Sequence, residues 1–420
     1  MPTPERPRLR PLSARRHDSE AGSVVVLTDP QQFCTSPIVL PLDVFQHVVR
    51  RFDGSRTILD VQKDLADELS LRLDLGFILR LVEDLDRAFA LEGTTFDSAV
   101  RSFREATLRP AAFAGRSYPS EAGSLAAQLD GFFRQRGGAG RPALPSPGRK
   151  MGASGSPRLR AVVSPHIDFG RGGPAYTWAY RRLVEESDAE VFVVLGVAHQ
   201  YARSRFVLTR KDFDTPFGPV TTDRLFVDRL ASEFGDGLFD DELTHRTEHS
   251  VEFQAVFLKH VLGDRPFTIV PILVGSFHDL LNRRVDPISD PVVARFIDAL
   301  RSAEREDGRR IAYVGGVDLC HVGPEFGDPD LVDRAFQERI RRFDRSLLDR
   351  AEAVDPEGWF RTAAEVGDRW RVCGLAATYT MLHAIGPSRG EVLRYEQAVD
   401  ERRRCCVTFA SLAFREAAPA

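Results

Sequence analysis

The stretch LRAVVSPHID, residues 159–168, is a short apolar run followed directly by a histidine and, two residues later, an aspartate. Three further stretches have a similar form: VFVVLGVAH at 191–199, FTIVPILVGSFH at 267–278 and IAYVGGVDLCH at 311–321. Each is followed by sequence typical of a helix. Short apolar strands that alternate with helices predict an α/β fold, with a mostly parallel central sheet flanked by helices.

Four polar residues follow these predicted strands: His166, His199, Asp318 and His321. The carboxyl ends of parallel strands meet at one edge of a sheet, and ligands gather at that edge. A single histidine in a loop more often caps a helix or makes a hydrogen bond. Because the whole chain has only ten histidines, several at one sheet edge indicate a functional site.

Cys373 opens an apolar stretch, 376–385, that is typical of a helix. A cysteine at a helix N-terminus has its thiolate form favoured by the helix dipole. A free cysteine is more often a small buried apolar residue, and Cys373 taken alone fits that interpretation better.

The segment THRTEHSVE, residues 244–252, places two histidines and two glutamates at helical spacing. His245 and His249 are four residues apart, as are Glu248 and Glu252, so a helix would present each pair on one face. The order H-x-x-E-H occurs in one group of zinc proteases. A zinc site also needs a third ligand, which Glu252 could supply, and an open water position. Because so short a pattern arises easily by chance, we expect these residues to line a substrate pocket or to support other ligands.

Composition excludes several classes of protein. The 420 residues carry 57 Lys and Arg against 61 Asp and Glu, a net charge of −4, so no chain-wide attraction for nucleic acid is expected. No apolar run is long enough to cross a membrane, and the N-terminal residues lack the apolar core of a secretory signal. Five cysteines are too few for a disulfide scaffold. We therefore expect a soluble cytoplasmic protein.

Composition also divides the chain into three parts. Residues 1–22, rich in Pro and Arg, predict a disordered arm. Residues 23–100 predict a small domain, with a strand at 24–27 and two helices, the first beginning near Thr57 and Asp60. The remainder, 105–420, predicts a large α/β domain with a flexible loop at 134–158, where Gly, Pro, Ser and Arg predominate.

The order of elements in the small domain is compatible with a winged helix. Residues 41–97 carry 12 acidic and 7 basic side chains, a net charge of −5. Such a surface repels phosphate and loses the electrostatic contribution to DNA binding. Binding of a peptide or a protein is the better interpretation, and a purely structural role is an equal alternative.

Short motifs follow one another through the larger part of the chain: RPAAFAGRSYP at 109–119, PH at 165–166, GVAH at 196–199, TPFG at 215–218, EHSVE at 248–252, DLCHVG at 318–323, CG at 373–374 and VTFAS at 407–411. In this order they resemble the Memo family, whose bacterial members are called AmmeMemoRadiSam system protein B. The resemblance covers about 300 residues. It implies an α/β fold similar to the class III extradiol dioxygenases, which are non-haem iron enzymes.

The resemblance also implies roles for particular residues. His166, His199 and Cys373 would be metal ligands, His321 would transfer protons, and Asp318 would orient His321 or a ligand. Two imidazoles and a thiolate suit copper, iron or zinc rather than calcium or magnesium. Three protein ligands leave a position open for O₂, water or substrate. We expect copper or iron, with zinc as the alternative.

Three features depart from the family pattern. Asp168 adds a carboxylate two residues from His166; it would alter the charge at the metal or, as we expect, cap the next helix. Cys320 adds a thiol beside His321, which could bind metal, become oxidised or point into the core. The adjacent Cys405 and Cys406 are expected to be core residues of the last strand.

The small domain weakly resembles PqqD-like winged-helix modules, which hold peptides for modifying enzymes; FDGSRT at 52–57 carries this resemblance. Three functions remain open. The first is a metal-dependent redox enzyme acting on an unknown small molecule or peptide. The second is a binding or scaffold protein with a vestigial pocket, which recruits a peptide or a partner enzyme such as a radical-SAM protein. The third is a zinc hydrolase built on His245, Glu248 and His249.

Overall fold

A computed structural model describes residues 4–19, 22–143, 157–200 and 202–417. The chain divides into two compact units, Met1–Ala106 and Thr107–Ala420. Within the described residues, no helix is long and apolar enough to span a membrane.

The first unit combines small antiparallel sheets with four helices. Its elements are β1 (Arg8–Leu9), β2 (Ser13–Ser19), β3 (Gly22–Thr28), β4 (Ile38–Pro41), α1 (Leu42–His47), α2 (Ile58–Leu69), α3 (Leu75–Arg87), β5 (Leu91–Glu92) and α4 (Thr94–Glu105). Strands β2, β3 and β4 form one antiparallel sheet, and β1 pairs with β5. Thr57 and Asp60 make a reciprocal capping box at the start of α2, as the sequence predicts. The winged-helix and PqqD-like interpretations of this unit stay predictions.

The segment predicted as a disordered arm, residues 1–22, instead contributes β1 and β2. Every side chain of β2 is exposed, so the segment has no apolar pattern for sequence analysis to detect. The strand exists because its backbone pairs along its whole length with the apolar strand β3. Between the two strands of the arm, Arg10 is buried in an ion pair with Asp29.

The second unit is larger and is built around one sheet. Its strands are β6 (Leu108–Arg109), β7 (Leu159–Ser164), β8 (Val191–Val197), β9 (Phe206–Leu208), β10 (Asp212–Phe213), β11 (Thr268–Val274), β12 (Ile311–Gly316), β13 (His321–Val322), β14 (Ser388–Asp400) and β15 (Cys405–Glu416). Its helices are α5 (Ala122–Arg134), α6 (Phe169–Glu186), α7 (Arg224–Phe234), α8 (His249–Leu262), α9 (His278–Arg283), α10 (Pro291–Asp307), α11 (Arg334–Glu352), α12 (Pro356–Glu365) and α13 (Leu375–Ala384).

The central sheet is mixed rather than mostly parallel. Its order is β13-β15-β7-β12-β8-β11-β9, with β14 on β15. Only the middle four strands, β7, β12, β8 and β11, run parallel. The prediction included the last strand, β15, but missed its long partner β14, to which a turn at 401–404 joins it. Strands joined by so short a turn pair antiparallel, since a parallel pair needs a crossover of a dozen or more residues.

Helices cover both faces of the sheet. Apolar side chains of α5, α6 and α8 form the core on one face, and those of α7, α10, α11, α12 and α13 form the core on the other. Two glycines let α8 approach the sheet. A Cβ on Gly196 would lie 2.4 Å from the Ser250 hydroxyl, and one on Gly316 would lie 2.6 Å from the Ser250 carbonyl oxygen. The N-terminus of α8 therefore lies directly at the carboxyl ends of β8 and β12.

The predicted flexible loop at 134–158 lies mostly outside the described residues, which omit 144–156. Its first part packs against α6. The Ala139 backbone N–H donates to the Thr177 hydroxyl, and the Trp178 indole donates to the Gly137 carbonyl. These contacts give residues 135–143 a defined path.

Candidate metal centre

Three residues that the sequence predicts as ligands meet at one point of the sheet edge. His166 Nε2 and His199 Nε2 each lie 3.2 Å from Cys373 Sγ. The three ligand atoms lie within 4.8 Å of one another. Bonds of about 2.3 Å to sulfur and 2.0–2.1 Å to nitrogen in a tetrahedral site place N and S about 3.6 Å apart. The spacing therefore fits a small transition metal after slight expansion.

Other protein groups fix the outer nitrogen of each ring. His166 Nδ1 lies 2.8 Å from the Gly316 carbonyl oxygen, and His199 Nδ1 lies 2.9 Å from Glu248 Oε1. Each Nδ1 therefore carries a proton, which leaves Nε2 as the nitrogen that each ring can offer to a metal. Such outer partners are typical of histidines that bind metals.

The loops after β7 and β12 hold His166 in place. Asp318 accepts hydrogen bonds from the backbone N–H groups of His166 and Ile167, at 2.9 and 3.2 Å. Its second oxygen lies 3.7 Å from His166 Nε2. Of the two residues that Asp318 is expected to orient, His321 or a ligand, it contacts the proposed ligand His166.

Cys373 is held by backbone pairing to the loop after β12. Its N–H donates to the Leu319 carbonyl, and the next N–H, of Gly374, donates to the Asp318 carbonyl. A Cβ on Gly374 would lie 2.6 Å from the Val317 Cβ. Glycine at 374 therefore permits the close approach that brings the thiol to the two imidazoles.

Glu248 joins two histidines beside the site. It caps α8 by accepting from the Ser250 N–H, and its Oε1 also lies 3.2 Å from His249 Nδ1. The His249 ring stacks on His199 at 4.6 Å between centroids and lies 5.0 Å from the His166 ring. His199, Glu248 and His249 thus form a second group with metal-ligand spacing.

Burial and neighbouring charges shift the pKa values of the histidines in this cluster in opposite directions. Burial lowers the pKa of His166 well below its usual value and that of His249 to about 4. For His199, burial acts in the same direction, but the Glu248 carboxylate and the Cys373 sulfur raise its pKa well above the usual value. Burial raises the pKa of the Cys373 thiol, which His199 partly offsets. A bound cation would favour the thiolate, which burial disfavours.

Most of the second unit matches one protein family. Residues 109–413 match a family described as Memo-like protein. This chain belongs to the Memo family.

Curated relatives support the assignment. A MEMO1 family protein of Methanopyrus kandleri is 29% identical over 299 residues, which is 70% of this chain and 93% of the relative. One from Thermus thermophilus is 26% identical over 343 residues, 81% of this chain and 93% of its own. A MEMO1 family protein of Aquifex aeolicus is 24% identical over 404 residues, 94% of this chain and 96% of its own, so the match extends into the first unit.

The opening Memo motif has a structural role at the site. Arg109 and Glu252 form an ion pair with both side chains fully buried. Arg109 also donates to the carbonyls of His245 and Glu248, each at 2.8 Å. Glu252 accepts from the Tyr118 hydroxyl and from two backbone N–H groups of the motif. The motif therefore fixes the segment that carries Glu248 and His249, a role that spacing alone did not reveal.

The single helix predicted for H-x-x-E-H, on which the zinc-hydrolase interpretation depends, is not formed. Helix α8 begins at His249, and His245 lies in a preceding 3₁₀ helix, Glu242–Thr247. His245 Nε2 lies 3.0 Å from the Val207 carbonyl oxygen, and the Glu252 carboxylate is paired with Arg109. The predicted single helix, which would align both pairs, is interrupted because Glu248 is extended and acts as the N-cap.

His321 lies at the same sheet edge but outside both groups. Its Nδ1 is 3.3 Å from the Leu319 carbonyl oxygen, and its ring packs on Phe326. Burial lowers its pKa to about 4, whereas burial raises that of Asp318 to about 7. Within the described residues, no hydrogen bond joins the Asp318 and His321 side chains.

The other departures from the Memo pattern are structural. Asp168 is the N-cap of α6, accepting from the Arg171 N–H, as the sequence predicts. Cys320 is fully buried, with its sulfur 3.1 Å from Asp344 Oδ1, so it points into the core. Cys405 and Cys406 are buried at the start of β15, also as predicted.

Two cavities reach the site. A pocket of about 220 Å³ is lined by His199 and Cys373 together with apolar residues of β8, β11 and α13. A larger cleft of about 1140 Å³ also has His199 in its lining. A substrate could reach this edge of the sheet through either opening.

Proposed function

We propose that this Memo-family protein binds copper or iron through His166, His199 and Cys373 and acts as an oxidoreductase. One observation carries the proposal: both Nε2 atoms lie 3.2 Å from the Cys373 sulfur, and both Nδ1 atoms are already engaged. Zinc fits the same donors and is the alternative metal. When bound, copper or iron would supply one-electron chemistry and an open position for O₂, water or substrate.

Other residues of the chain would then support the metal ligands or take part in proton transfer. Glu248 orients His199 and balances the charge of the site. Asp318 fixes the backbone at His166. His321 is neutral at pH 7, since burial lowers its pKa to about 4; it would transfer protons in the proposed reaction, but only as a weak base. The apolar wall of the smaller pocket would limit the access of water.

Elemental analysis of protein purified without a chelating tag tests the proposal. We expect close to one copper or iron per chain, and loss of that metal in His166→Ala and Cys373→Ala. His260→Ala and Cys34→Ser are matched controls, since neither residue lies in the cluster, and both should keep the metal. Full metal content in both ligand variants would refute the assignment.

Recruitment of a peptide or a partner enzyme, such as a radical-SAM protein, is the second candidate function. It is favoured by the first unit, which has its own core, is acidic over 41–97 and lies within the region matched by the Aquifex relative. Affinity capture with the full chain and with a chain lacking 1–106 tests it. A partner retained only by the full chain would support recruitment, and equal capture by both would count against it.

A further inference from the structure

Ser276 and His278 follow β11 and lie outside the proposed ligand set. Ser276 Oγ lies 2.9 Å from His278 Nδ1, and His278 Nε2 lies 2.9 Å from Asp368 Oδ2. Ser276 and His278 are exposed, whereas the Asp368 side chain is 1% exposed. The three residues form a continuous hydrogen-bonded chain from an exposed hydroxyl, through an imidazole, to a buried carboxylate.

The buried carboxylate is firmly placed. Asp368 Oδ1 accepts from the Val372 N–H at 2.9 Å, and Oδ2 faces His278. A buried carboxylate without such partners would be strongly disfavoured. The hydrogen bond to Asp368 raises the pKa of His278. It also places the ring proton on Nε2, which leaves Nδ1 as the basic nitrogen toward Ser276.

Ser276 lies in the turn between strand β11 and helix α9, where its Oγ also accepts from the His278 backbone N–H at 3.1 Å. Gly275 directly follows the parallel strand β11, and its N–H donates to the Arg205 carbonyl at 2.8 Å. A Cβ on Gly275 would lie 3.0 Å from the Ser204 carbonyl oxygen, so glycine permits this close approach. Helix α9 begins two residues after Ser276. A serine exposed between a strand and a helix is the arrangement of nucleophiles in α/β hydrolases.

Ser276 also lies where a substrate can reach it. It lines both the pocket of about 220 Å³ and the cleft of about 1140 Å³. The cleft offers apolar surface from Phe206, Phe234 and Val292, and its volume exceeds the usual range for small-molecule sites, about 300–1,000 Å³. An acyl group and its leaving alcohol could be held there together.

We propose that Ser276, His278 and Asp368 form a second catalytic site, which hydrolyses carboxylic esters without a metal. Ser276 Oγ attacks the ester carbonyl carbon while its proton passes to His278 Nδ1. The bond to the alcohol oxygen breaks, and the alcohol leaves with that proton. Water then attacks the acyl-serine, giving its proton to His278, which returns it to Ser276 as the carboxylic acid leaves.

Asp368 is a positioning residue in this scheme. It holds the imidazole and stabilises the imidazolium that forms during transfer. The ring nitrogens are used in the opposite order to serine proteases, where Nε2 faces the serine. Either order leaves one basic nitrogen toward the hydroxyl, so the proton balance is the same.

The test labels the full chain with a fluorophosphonate probe and follows hydrolysis of p-nitrophenyl acetate. We expect one adduct, located on Ser276 by peptide mass spectrometry. Ser276→Ala should abolish labelling at this position, and His278→Ala should lower labelling and hydrolysis about 100-fold or more. Both side chains are exposed, so neither change opens a cavity in the core. His278→Ala also removes one hydrogen bond from the buried Asp368, so circular dichroism checks that each variant is folded. Ser232→Ala, an exposed serine on α7 that donates to the Arg229 carbonyl, is the matched control and should behave as wild type.

The same labelling experiment tests this site independently of the proposed metal centre. Chelated protein and Cys373→Ala should keep the adduct on Ser276, whatever the outcome of metal analysis. An adduct only on other residues, no adduct on folded protein, equal labelling in His278→Ala, or loss of labelling in Cys373→Ala would each overturn the proposal.

Discussion

Glu248 Oε1 lies 2.9 Å from His199 Nδ1, and Glu248 Oε2 accepts from the His199 backbone N–H at 3.0 Å. One buried carboxylate therefore fixes both the ring and the backbone of a proposed ligand. It does so from the N-cap of α8. The position of this helix is thus coupled directly to the geometry of the site.

Replacing Glu248 with Gln should weaken metal binding. The amide keeps the shape of the side chain but removes the negative charge that makes His199 a stronger donor, so we expect a 10- to 100-fold loss of affinity. Competition with a chelator of known affinity measures it. Glu121→Gln is the matched control, because Glu121 also caps a helix, α5, away from the cluster. Equal losses in both variants would show that capping, rather than the contact with His199, is responsible.

Gly374→Ala should displace the thiol of Cys373. The new Cβ would lie 2.6 Å from the Val317 Cβ and 2.8 Å from the Asp318 carbonyl oxygen, so the backbone must move, at about 1–3 kcal/mol. Loss of metal should accompany the loss of stability. All three Trp residues, 178, 359 and 370, lie in the second unit, so urea unfolding followed by Trp fluorescence reports on this unit. Gly131→Ala in α5, where the atom nearest a Cβ is Gln135 Nε2 at an ordinary contact distance of 3.8 Å, should be neutral or stabilising. Unchanged metal content in Gly374→Ala would contradict the packing argument.

Glu252→Ala should destabilise the second unit by about 3–5 kcal/mol, since it leaves the Arg109 charge buried without its partner. The same fluorescence measurement applies. Glu338→Ala removes one partner of an exposed pair with Arg341 and should change the free energy of unfolding by no more than about 0.5 kcal/mol. A loss below about 1 kcal/mol in Glu252→Ala would mean that Arg109 finds another partner.

The first unit should lose stability in acid through Asp29. Burial alone would raise the pKa of Asp29, but hydrogen bonds from Arg10 and from the Cys34 backbone hold it below its usual value. A carboxyl whose pKa is lower in the folded state contributes stability above its unfolded pKa, about 3.9. That contribution is lost as the pH falls from there through the folded pKa. Hydrogen exchange of peptides covering β3 between pH 2 and 5 measures it. Asp29→Asn should show a smaller dependence on pH, and an identical profile would contradict this origin.

The sequence by itself determined the local elements and the residues that end them. Apolar runs predicted β7, β8, β11 and β12, and parallel strands bring their carboxyl ends to one edge whatever the helices do. For this reason His166 and His199 could be placed together from sequence. The meeting with Cys373 came from the family resemblance, since nothing local indicates it.

Only the tertiary structure decided which distant side chains became partners. His245 and Glu252 have suitable spacing but point to Val207 and Arg109, because α8 begins at His249. His278 and Asp368 are 90 residues apart, and β2 has no buried side chain of its own. The spacing of apolar residues along a segment indicates only which secondary structure that segment prefers. Contacts between loops, and strands stabilised only by pairing, depend on the packing of the whole unit, which no local pattern encodes.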